Sequence, residues 1–108
     1  MIQPVRQQPP EVTVEVFSWL RGRLGFAEAG QALLPVEVAA GETAGDLLAR
    51  LAAQVPGFRE HVYDPTQGRL YEHVAVLLNG RALELAGGLA AQLRDGDRIL
   101  LLPGFAGG

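Results

Sequence analysis

The chain has 108 residues, of which 48% are apolar and 19% charged, and its formal net charge is −3 at pH 7. This length and this mixture predict one globular domain with a single core and exclude a disordered chain. The weak negative charge argues against nucleic acid as a partner. We expect no membrane association either, because the apolar run at residues 99–103 is far too short to cross a bilayer.

Two residue types are absent from the sequence, cysteine and lysine, so that all basic residues are arginines. Without cysteine there is no disulfide, no thiol nucleophile and no thiolate metal site. Without lysine no side chain of the chain can form a Schiff base or accept an isopeptide bond. Because the N-terminal residues lack the long apolar segment of a signal peptide, we expect a cytoplasmic protein.

The N-terminal third predicts a flexible arm followed by two strands. Residues 1–11 are rich in Pro and Gln and are expected to be a loose arm. Residues 12–20 begin with alternating apolar and polar side chains, which indicates a half-buried strand, and residues 33–39 form a second apolar run. Pro35 favours the edge of a sheet or the start of a strand. We expect the two strands to form a hairpin with a long loop.

One amphipathic helix is predicted after the second strand. Thr43, with Asp46 three residues later, is a capping signal for the first turn of a helix. Pro56 and Gly57 are typical of a helix end. The apolar side chains between these signals recur at helical spacing, and they are Ala44, Leu47, Leu48, Leu51, Ala52 and Val55.

The next segment predicts a connector and a second hairpin. Residues 58–72 contain turn signals and are interpreted as a connector, and residues 73–78 as a third strand. Asn79-Gly80 is typical of a two-residue hairpin turn whose central residues need positive φ. A short fourth strand is therefore expected at residues 81–85.

The C-terminal segment predicts the last strand. Residues 89–93 are interpreted as one helical turn, and Asp95-Gly96-Asp97 as a turn rather than a pair of catalytic carboxylates. Residues 98–102 are almost wholly apolar, which predicts a mid-sheet strand covered on both faces.

The element order predicts an α+β fold, with a mixed sheet of four to five strands packed on one main helix. No nucleophile and base stand at a spacing that suggests a self-contained active site, so we do not expect an enzyme. His61 and His73 are far apart in the sequence and have no cysteine nearby, so we expect no metal site.

Four segments, ETAGDLL, VLLNGR, LRDGDRILLLP and the terminal AGG, resemble the ubiquitin-like β-grasp sulfur carriers. These are the small subunits of molybdopterin synthase and their relatives in thiazole, cysteine and thiolated-tRNA synthesis. The resemblance covers nearly all of residues 12–108, and the middle of the chain is most similar to the archaeal-type and cysteine-carrier branch. The sequence departs from the common pattern at Gly104 and Phe105. The tail also lacks the basic residues that precede Gly-Gly in ubiquitin, which disfavours a eukaryotic-type modifier.

The resemblance implies a β-grasp domain over residues 12–102 and an extended tail over residues 103–108. It implies that a partner adenylating (E1-like) enzyme uses ATP to adenylate the carboxyl group of Gly108, which a sulfur donor then converts to a thiocarboxylate. The sulfur would pass to a downstream enzyme such as the large subunit of molybdopterin synthase. The chain itself would be a carrier that holds no permanent cofactor. Molybdopterin synthesis is the expected pathway; thiamine, cysteine or tRNA thiolation, and conjugation to lysines of other proteins, remain open.

A glycine-ended tail suits this chemistry. An α-carboxyl group has a pKa of about 3.3–3.7, so it is ionised and unreactive until it acquires a leaving group. Gly107 and Gly108 carry no Cβ and can pass through a narrow tunnel. Residues 103–108 span about 20 Å when extended, enough to enter a partner's pocket.

The remaining tail residues complete the predicted partner-binding set. Gly104 and Ala106 flank Phe105, which either fills a partner's hydrophobic slot or folds back on its own domain. Pro103 either stiffens the exit from the last strand or simply ends it. A further alternative is an interaction module in which the tail has no role.

Overall fold

A computed structural model describes residues 9–16, 32–55 and 57–103 of the chain. In chain order the elements are strands β1 (Glu11–Val16) and β2 (Ala32–Glu37), helices α1 (Ala44–Gln54) and α2 (Phe58–His61), strands β3 (Tyr63–Asp64), β4 (Arg69–Leu70), β5 (Val74–Leu78) and β6 (Arg81–Ala82), two 3₁₀ turns (Leu83–Leu85 and Gly88–Ala90), and strand β7 (Arg98–Pro103).

Five strands form one mixed sheet in the order β2-β1-β7-β5-β6. Strand β7 is at its centre, parallel to β1 and antiparallel to β5, whereas the other pairs are antiparallel. Strands β3 and β4 form a separate two-stranded ribbon. The described residues therefore form the predicted α+β arrangement of a mixed sheet and one main helix.

The predicted pairing of β1 with β2 is confirmed, and β2 is an edge strand, as Pro35 indicated. The Val38 amide donates to the Pro10 carbonyl at 2.8 Å. This hydrogen bond fixes which amides of β2 face β1 and which face outward. Pro35 is at one of the outward-facing positions. Because proline has no N–H, the free edge of β2 lacks a donor there and is a poorer template for another strand. The predicted continuation of β1 over residues 17–20, and the hairpin loop, lie outside the described residues.

Helix α1 confirms the predicted cap and apolar stripe. The Thr43 hydroxyl accepts a hydrogen bond from the Asp46 amide at 3.1 Å, and the Asp46 carboxylate accepts one from the Thr43 amide at 3.2 Å. Arg50 on the same helix donates to the Glu42 carboxylate at 3.1 Å and to the Glu37 carbonyl at 2.8 Å, which joins the helix to the end of β2. Five stripe residues are buried and Val55 is partly buried, the five being Ala44, Leu47, Leu48, Leu51 and Ala52.

Alternate residues of the sheet pack against this helix. Strand β1 contributes three fully buried valines, and β7 contributes Ile99 and Leu101 from the middle of the sheet. Strand β1 begins at Glu11, which the sequence analysis assigned to the end of the arm. The Glu11 amide donates to the Asp95 carboxylate at 2.9 Å, so Glu11 belongs to the sheet.

Two sequence expectations for the second half are wrong. Residues 58–72 are not a plain connector, because they contain α2 and the β3–β4 ribbon, with Phe58 and Val62 buried in the core. The fourth strand ends at Ala82 instead of residue 85, and the chain turns into a 3₁₀ helix that brings Leu83 into the core. The helical turn predicted at residues 89–93 is a 3₁₀ turn at Gly88–Ala90.

Candidate functional site

The predicted site begins at Pro103, the last residue of β7, which pairs with Val74 of β5. The other predicted tail residues lie outside the described residues, and they are Gly104, Phe105, Ala106, Gly107 and Gly108. The structure therefore shows where the tail is attached, at the end of the central strand.

The attachment point is held firmly. Leu101 is fully buried, and it pairs with Val16 on one side and Val76 on the other. Both neighbouring strands form ladder hydrogen bonds with β7, so a pull on the chain after Pro103 acts on the centre of the sheet. A partner can therefore bind the end of the chain without displacing a frayed edge strand.

The sheet face opposite α1 continues to this attachment point, and we call it the outer face. Because side chains alternate along a strand, the residues between the buried ones point away from the helix. Between the exposed pair Glu11 and Glu37 at its far end and the attachment point, the outer face comprises Thr13, Glu15, Leu33, Pro35, Ala75, Leu77, Arg98, Leu100 and Leu102. It is mostly apolar, and most of these side chains are half-buried or exposed.

One row of the outer face crosses four strands. Leu33, Glu15, Leu100 and Leu77 are consecutive partners in the sheet register. Leu33, at the edge, is 58% exposed, whereas Leu100 and Leu77 are half-buried. An apolar row of this kind is typical of a surface that another protein covers.

The outer face contains one charged pair, between Glu15 of this row and Arg98 of the adjacent row. Glu15 is only 6% exposed, and its carboxylate accepts a hydrogen bond from the guanidinium of Arg98, whose side chain is 65% exposed. Beside this pair is a shallow depression of about 470 Å³ that Leu100, Asn79 and Gly80 also line. The arginine head therefore provides a polar point for orienting a partner on an otherwise apolar face.

A second group of side chains lies beside the attachment point. His73 immediately precedes Val74, the partner of Pro103, and its ring stacks on Tyr71 with centroids 5.7 Å apart. The His73 Nε2 is 2.8 Å from the His61 carbonyl, which can only accept, so this nitrogen carries the proton. The Tyr71 hydroxyl donates to the Arg59 carbonyl at 2.8 Å. Both rings are thus fixed by backbone groups.

These contacts bear on the metal and acid–base alternatives. His73 meets the backbone of His61, not its ring. Asp95 and Asp97 flank Gly96 in a turn, as the sequence predicted; the Asp95 carboxylate accepts from the Glu11 amide of β1 and the Asp97 carboxylate from the Arg94 amide. In residues 9–16, 32–55 and 57–103 no three His, Cys, Asp or Glu side chains are grouped to hold a metal ion. No helix in the same part of the chain is long and apolar enough to span a bilayer.

Sequence reasoning did not locate the outer face. Each of its residues lies in a segment that was correctly predicted as a strand, but alternation does not tell which strands are neighbours. A signal was present in residues 98–102, because a central strand with apolar side chains on both faces needs a second cover. The observed burial alternates along β7, and Leu100 and Leu102 are only half-buried.

Comparison with known proteins gives a consistent result. The model of the ThiS family matches residues 14–108. The sulfur carrier protein CysO of Mycobacterium tuberculosis is 35% identical over 98 residues, which cover 90% of this chain and 98% of that protein. Small archaeal modifier protein 1 of Haloferax volcanii is 36% identical over 80 residues, which cover 74% of this chain and 86% of that protein.

Solved structures agree with the sequence matches. The crystal structure of small archaeal modifier protein 1 of Haloferax volcanii superposes with a TM-score of 0.69 at 27% identity, covering 89% of this chain and 99% of that chain. A chain of the Amycolatopsis orientalis BexX/CysO complex superposes with a TM-score of 0.64 at 27% identity, covering 90% and 99%. These similarities confirm the predicted ubiquitin-like β-grasp fold. The relatives are named as carrier or modifier proteins, in agreement with the carrier class that the sequence predicts.

Proposed function

The chain belongs to the ThiS family, and from this premise we propose that it carries sulfur as a thiocarboxylate on Gly108. The single observation that supports this most is the family match, which extends over residues 14–108 and therefore includes the Gly-Gly end. The geometry agrees, since the last described residue before that end leaves the centre of a rigid sheet.

The proposed chemistry has three steps, which are activation of Gly108, loading of sulfur and transfer of sulfur. A carboxylate oxygen of Gly108 attacks the α-phosphorus of ATP in an adenylating partner, and pyrophosphate leaves. A hydrosulfide-equivalent donor attacks the acyl-adenylate carbon, so that a C–S bond forms, the C–O bond to phosphate breaks and AMP leaves. The thiocarboxylate sulfur then attacks an electrophilic carbon of the acceptor, where a C–S bond forms and the bond to a leaving group such as phosphate breaks. Hydrolysis of the acyl–sulfur bond leaves the sulfur on the acceptor and regenerates the carboxylate.

The domain itself contributes attachment and recognition. No described side chain is required to accept or donate a proton in these steps, which belong to the partner enzymes. We propose that the outer face docks on the adenylating partner and on the sulfur acceptor in turn. Its apolar row supplies buried area and the Arg98 head sets the orientation. The tail residues Pro103 to Gly108 then reach the partner's active site.

The experiment is the measurement of intact mass after incubation with the adenylating partner, ATP and a sulfide donor. We expect a gain equal to the exchange of one oxygen atom for one sulfur atom. A chain truncated after Ala106 is the matched control and should gain nothing. An unchanged mass of the full chain with an active partner would overturn the sulfur-carrier proposal.

The sulfur acceptor is a finer question. Molybdopterin synthesis stays a prediction, while the 35% identity to proteins named CysO favours the cysteine branch that the sequence resemblance left open. The loaded chain can be offered in parallel to the large subunit of molybdopterin synthase and to a cysteine-forming enzyme. The pathway is assigned by the enzyme that consumes the thiocarboxylate, again followed by intact mass.

Conjugation to other proteins is the second candidate function. It is favoured by the 36% identity to small archaeal modifier protein 1. An activated Gly108 would then be attacked by a lysine amine, forming an isopeptide bond with release of AMP. Because Arg98 is the last basic residue of the chain, trypsin digestion of cell extracts should leave residues 99–108 as a remnant on target lysines, and these remnants should depend on this gene. Their absence would remove this candidate and leave sulfur transfer untouched.

A further inference from the structure

A second surface lies at the end of the sheet away from the tail. It is an open depression of about 410 Å³, which we call the arginine pocket, lined among others by Leu78, Asn79, Arg81, Ala86, Arg94 and Asp97. Strand β7 starts at this end with Arg98 and finishes at Pro103. At about 3.3 Å per residue, the pocket and the attachment point of the tail are about 16 Å apart along the strand.

Two arginines, Arg81 and Arg94, line this depression together with a single carboxylate residue, Asp97. In the part of the chain that the structure describes, ion pairs join Arg50 to Glu42 and Arg98 to Glu15, but none involves Arg81 or Arg94. Two arginines against one aspartate give this depression a positive formal charge, opposite in sign to the net charge of −3 of the whole chain. Such a patch attracts an anion from solution.

The one carboxylate in the pocket is already engaged. Asp97 accepts hydrogen bonds from the Asn79 side-chain amide at 2.9 Å and from the Arg94 backbone amide at 2.8 Å. It holds the turn together and bonds to neither guanidinium group. Asp97 therefore leaves both guanidinium groups without a carboxylate partner among the described residues, and an external carboxylate can bind the N–H groups that the Arg81 contact with Leu85 does not use.

Backbone contacts hold the side chain of Arg81 and the main chain of Arg94 beside the depression. The Arg81 guanidinium donates to the Leu85 carbonyl at 3.3 Å, which places it over the 3₁₀ turn. Arg94 is anchored through its backbone, because the Asp97 amide donates to the Arg94 carbonyl at 3.0 Å. Less conformational entropy is lost on binding when the donors are positioned in advance.

The apolar surroundings indicate the kind of ligand. Leu78 and Ala86 line the depression, and Leu85, whose carbonyl Arg81 contacts, is 70% exposed. An exposed leucine beside a charged, open pocket matches a segment that carries both acidic and apolar side chains. A small anion would leave this leucine uncovered.

We propose that the arginine pocket binds an acidic segment of a partner protein, with its carboxylates on Arg81 and Arg94 and an apolar side chain on Leu85. This site goes beyond the proposed sulfur transfer. Its distance from Pro103 allows a partner to hold the domain here while the tail enters an active site. The arginine pocket would thus be a second docking site that selects partners by their charge.

The test is an NMR titration of the full chain with two short peptides. One is acetyl-Glu-Glu-Leu-Glu-Glu-amide, and the matched peptide has Gln in place of every Glu. We expect saturable shifts at Arg81, Leu85 and Arg94 with the acidic peptide only, weakening as salt is raised. The substitution Arg94→Glu should lower the affinity about tenfold or more, as for a lost hydrogen bond between charged groups.

Two controls keep the test falsifiable. Arg59→Glu changes the net charge equally at an exposed position of α2 and should retain binding. Arg81→Gln removes the positive charge of the other arginine in the pocket without reversing it. The dispersion of the backbone amide signals shows whether each variant is folded. Equal shifts with both peptides, no saturable shift, or the same affinity for inorganic phosphate alone would overturn the proposal. The titration needs no ATP and no adenylating partner, so its outcome is independent of the sulfur-carrier proposal.

Discussion

Thr43 shows how one side chain sets the start of the main helix. Its hydroxyl and the Asp46 carboxylate exchange hydrogen bonds with each other's backbone amides. The next amide of the helix, on Ala44, donates to the Ala91 carbonyl at 2.8 Å. Amides of the first turn that would otherwise lack partners are thereby satisfied, partly by the sequence nearby and partly by a distant segment.

Replacement of Thr43 by alanine removes the hydroxyl acceptor. We expect Thr43→Ala to lower the free energy of unfolding by about 1 kcal/mol, within a range of about 0.5–2. Urea denaturation measures the change, and Thr43→Ser, which keeps the hydroxyl, should stay close to the original stability. An unaltered midpoint for Thr43→Ala would show that the cap contributes nothing.

Asn79 makes a comparable contribution at the hairpin between β5 and β6. It adopts a positive φ of 52°, and Gly80 follows with a φ of 84°. Its side chain also donates to the Asp97 carboxylate and accepts from the Arg98 amide at 2.9 Å. Asn79 therefore forms the turn of its own hairpin and also connects this hairpin to the start of β7. The sequence predicts the first role but not the second.

At the scale of elements, β7 connects the core to the tail. It pairs with β1 and β5, and its Ile99 and Leu101 face the helix. Removing a buried leucine from such a position loses transfer free energy and leaves a cavity that the two neighbouring strands cannot fill. The attachment of the tail and the stability of the domain therefore depend on the same strand.

For Leu101→Ala we expect a loss of about 2–5 kcal/mol in the free energy of unfolding. The matched control is Leu33→Ala on the edge strand, where the side chain is 58% exposed and the change should stay within about 0.5 kcal/mol. Denaturant unfolding of both variants makes the comparison. Equal losses at the two positions would contradict the central role of β7.

Across the whole molecule, the outer face and the arginine pocket occupy different regions around the same sheet. The outer face runs up to Pro103, where the tail begins, and the arginine pocket lies at the opposite end of β7. We propose that a partner that activates the chain end covers the outer face. A partner that only holds the domain can use the arginine pocket.

The outer face is tested by Leu100→Ser. We expect KM of the adenylating partner for this chain to rise about tenfold or more, because a leucine contact is lost from the interface, with kcat little changed. Ala53→Arg, at an exposed position of α1, is the control and should load normally. Thermal unfolding checks that Leu100→Ser remains folded. Unchanged KM would place the docking surface elsewhere.

The sequence by itself determined the elements whose signals are local. The cap and stripe of α1, the Asn79-Gly80 turn and the apolar strand at residues 98–102 depend on neighbours within a few positions. The Gly-Gly end pointed to the family, and the comparisons confirm the family. The roles of Phe105 and Gly108 themselves stay predictions, because those residues lie outside the described part of the chain.

Only the tertiary structure decided the rest. The fourth strand stops at Ala82 because Leu83 is drawn into the core, and the β3–β4 ribbon forms because Phe58 and Val62 are buried beside it. The outer face and the arginine pocket join residues that are distant in the chain, such as Leu33 with Leu100 and Arg81 with Arg94. Burial and charge proximity arise from packing between distant segments, and a pattern read along one strand contains no information about which segments become its neighbours.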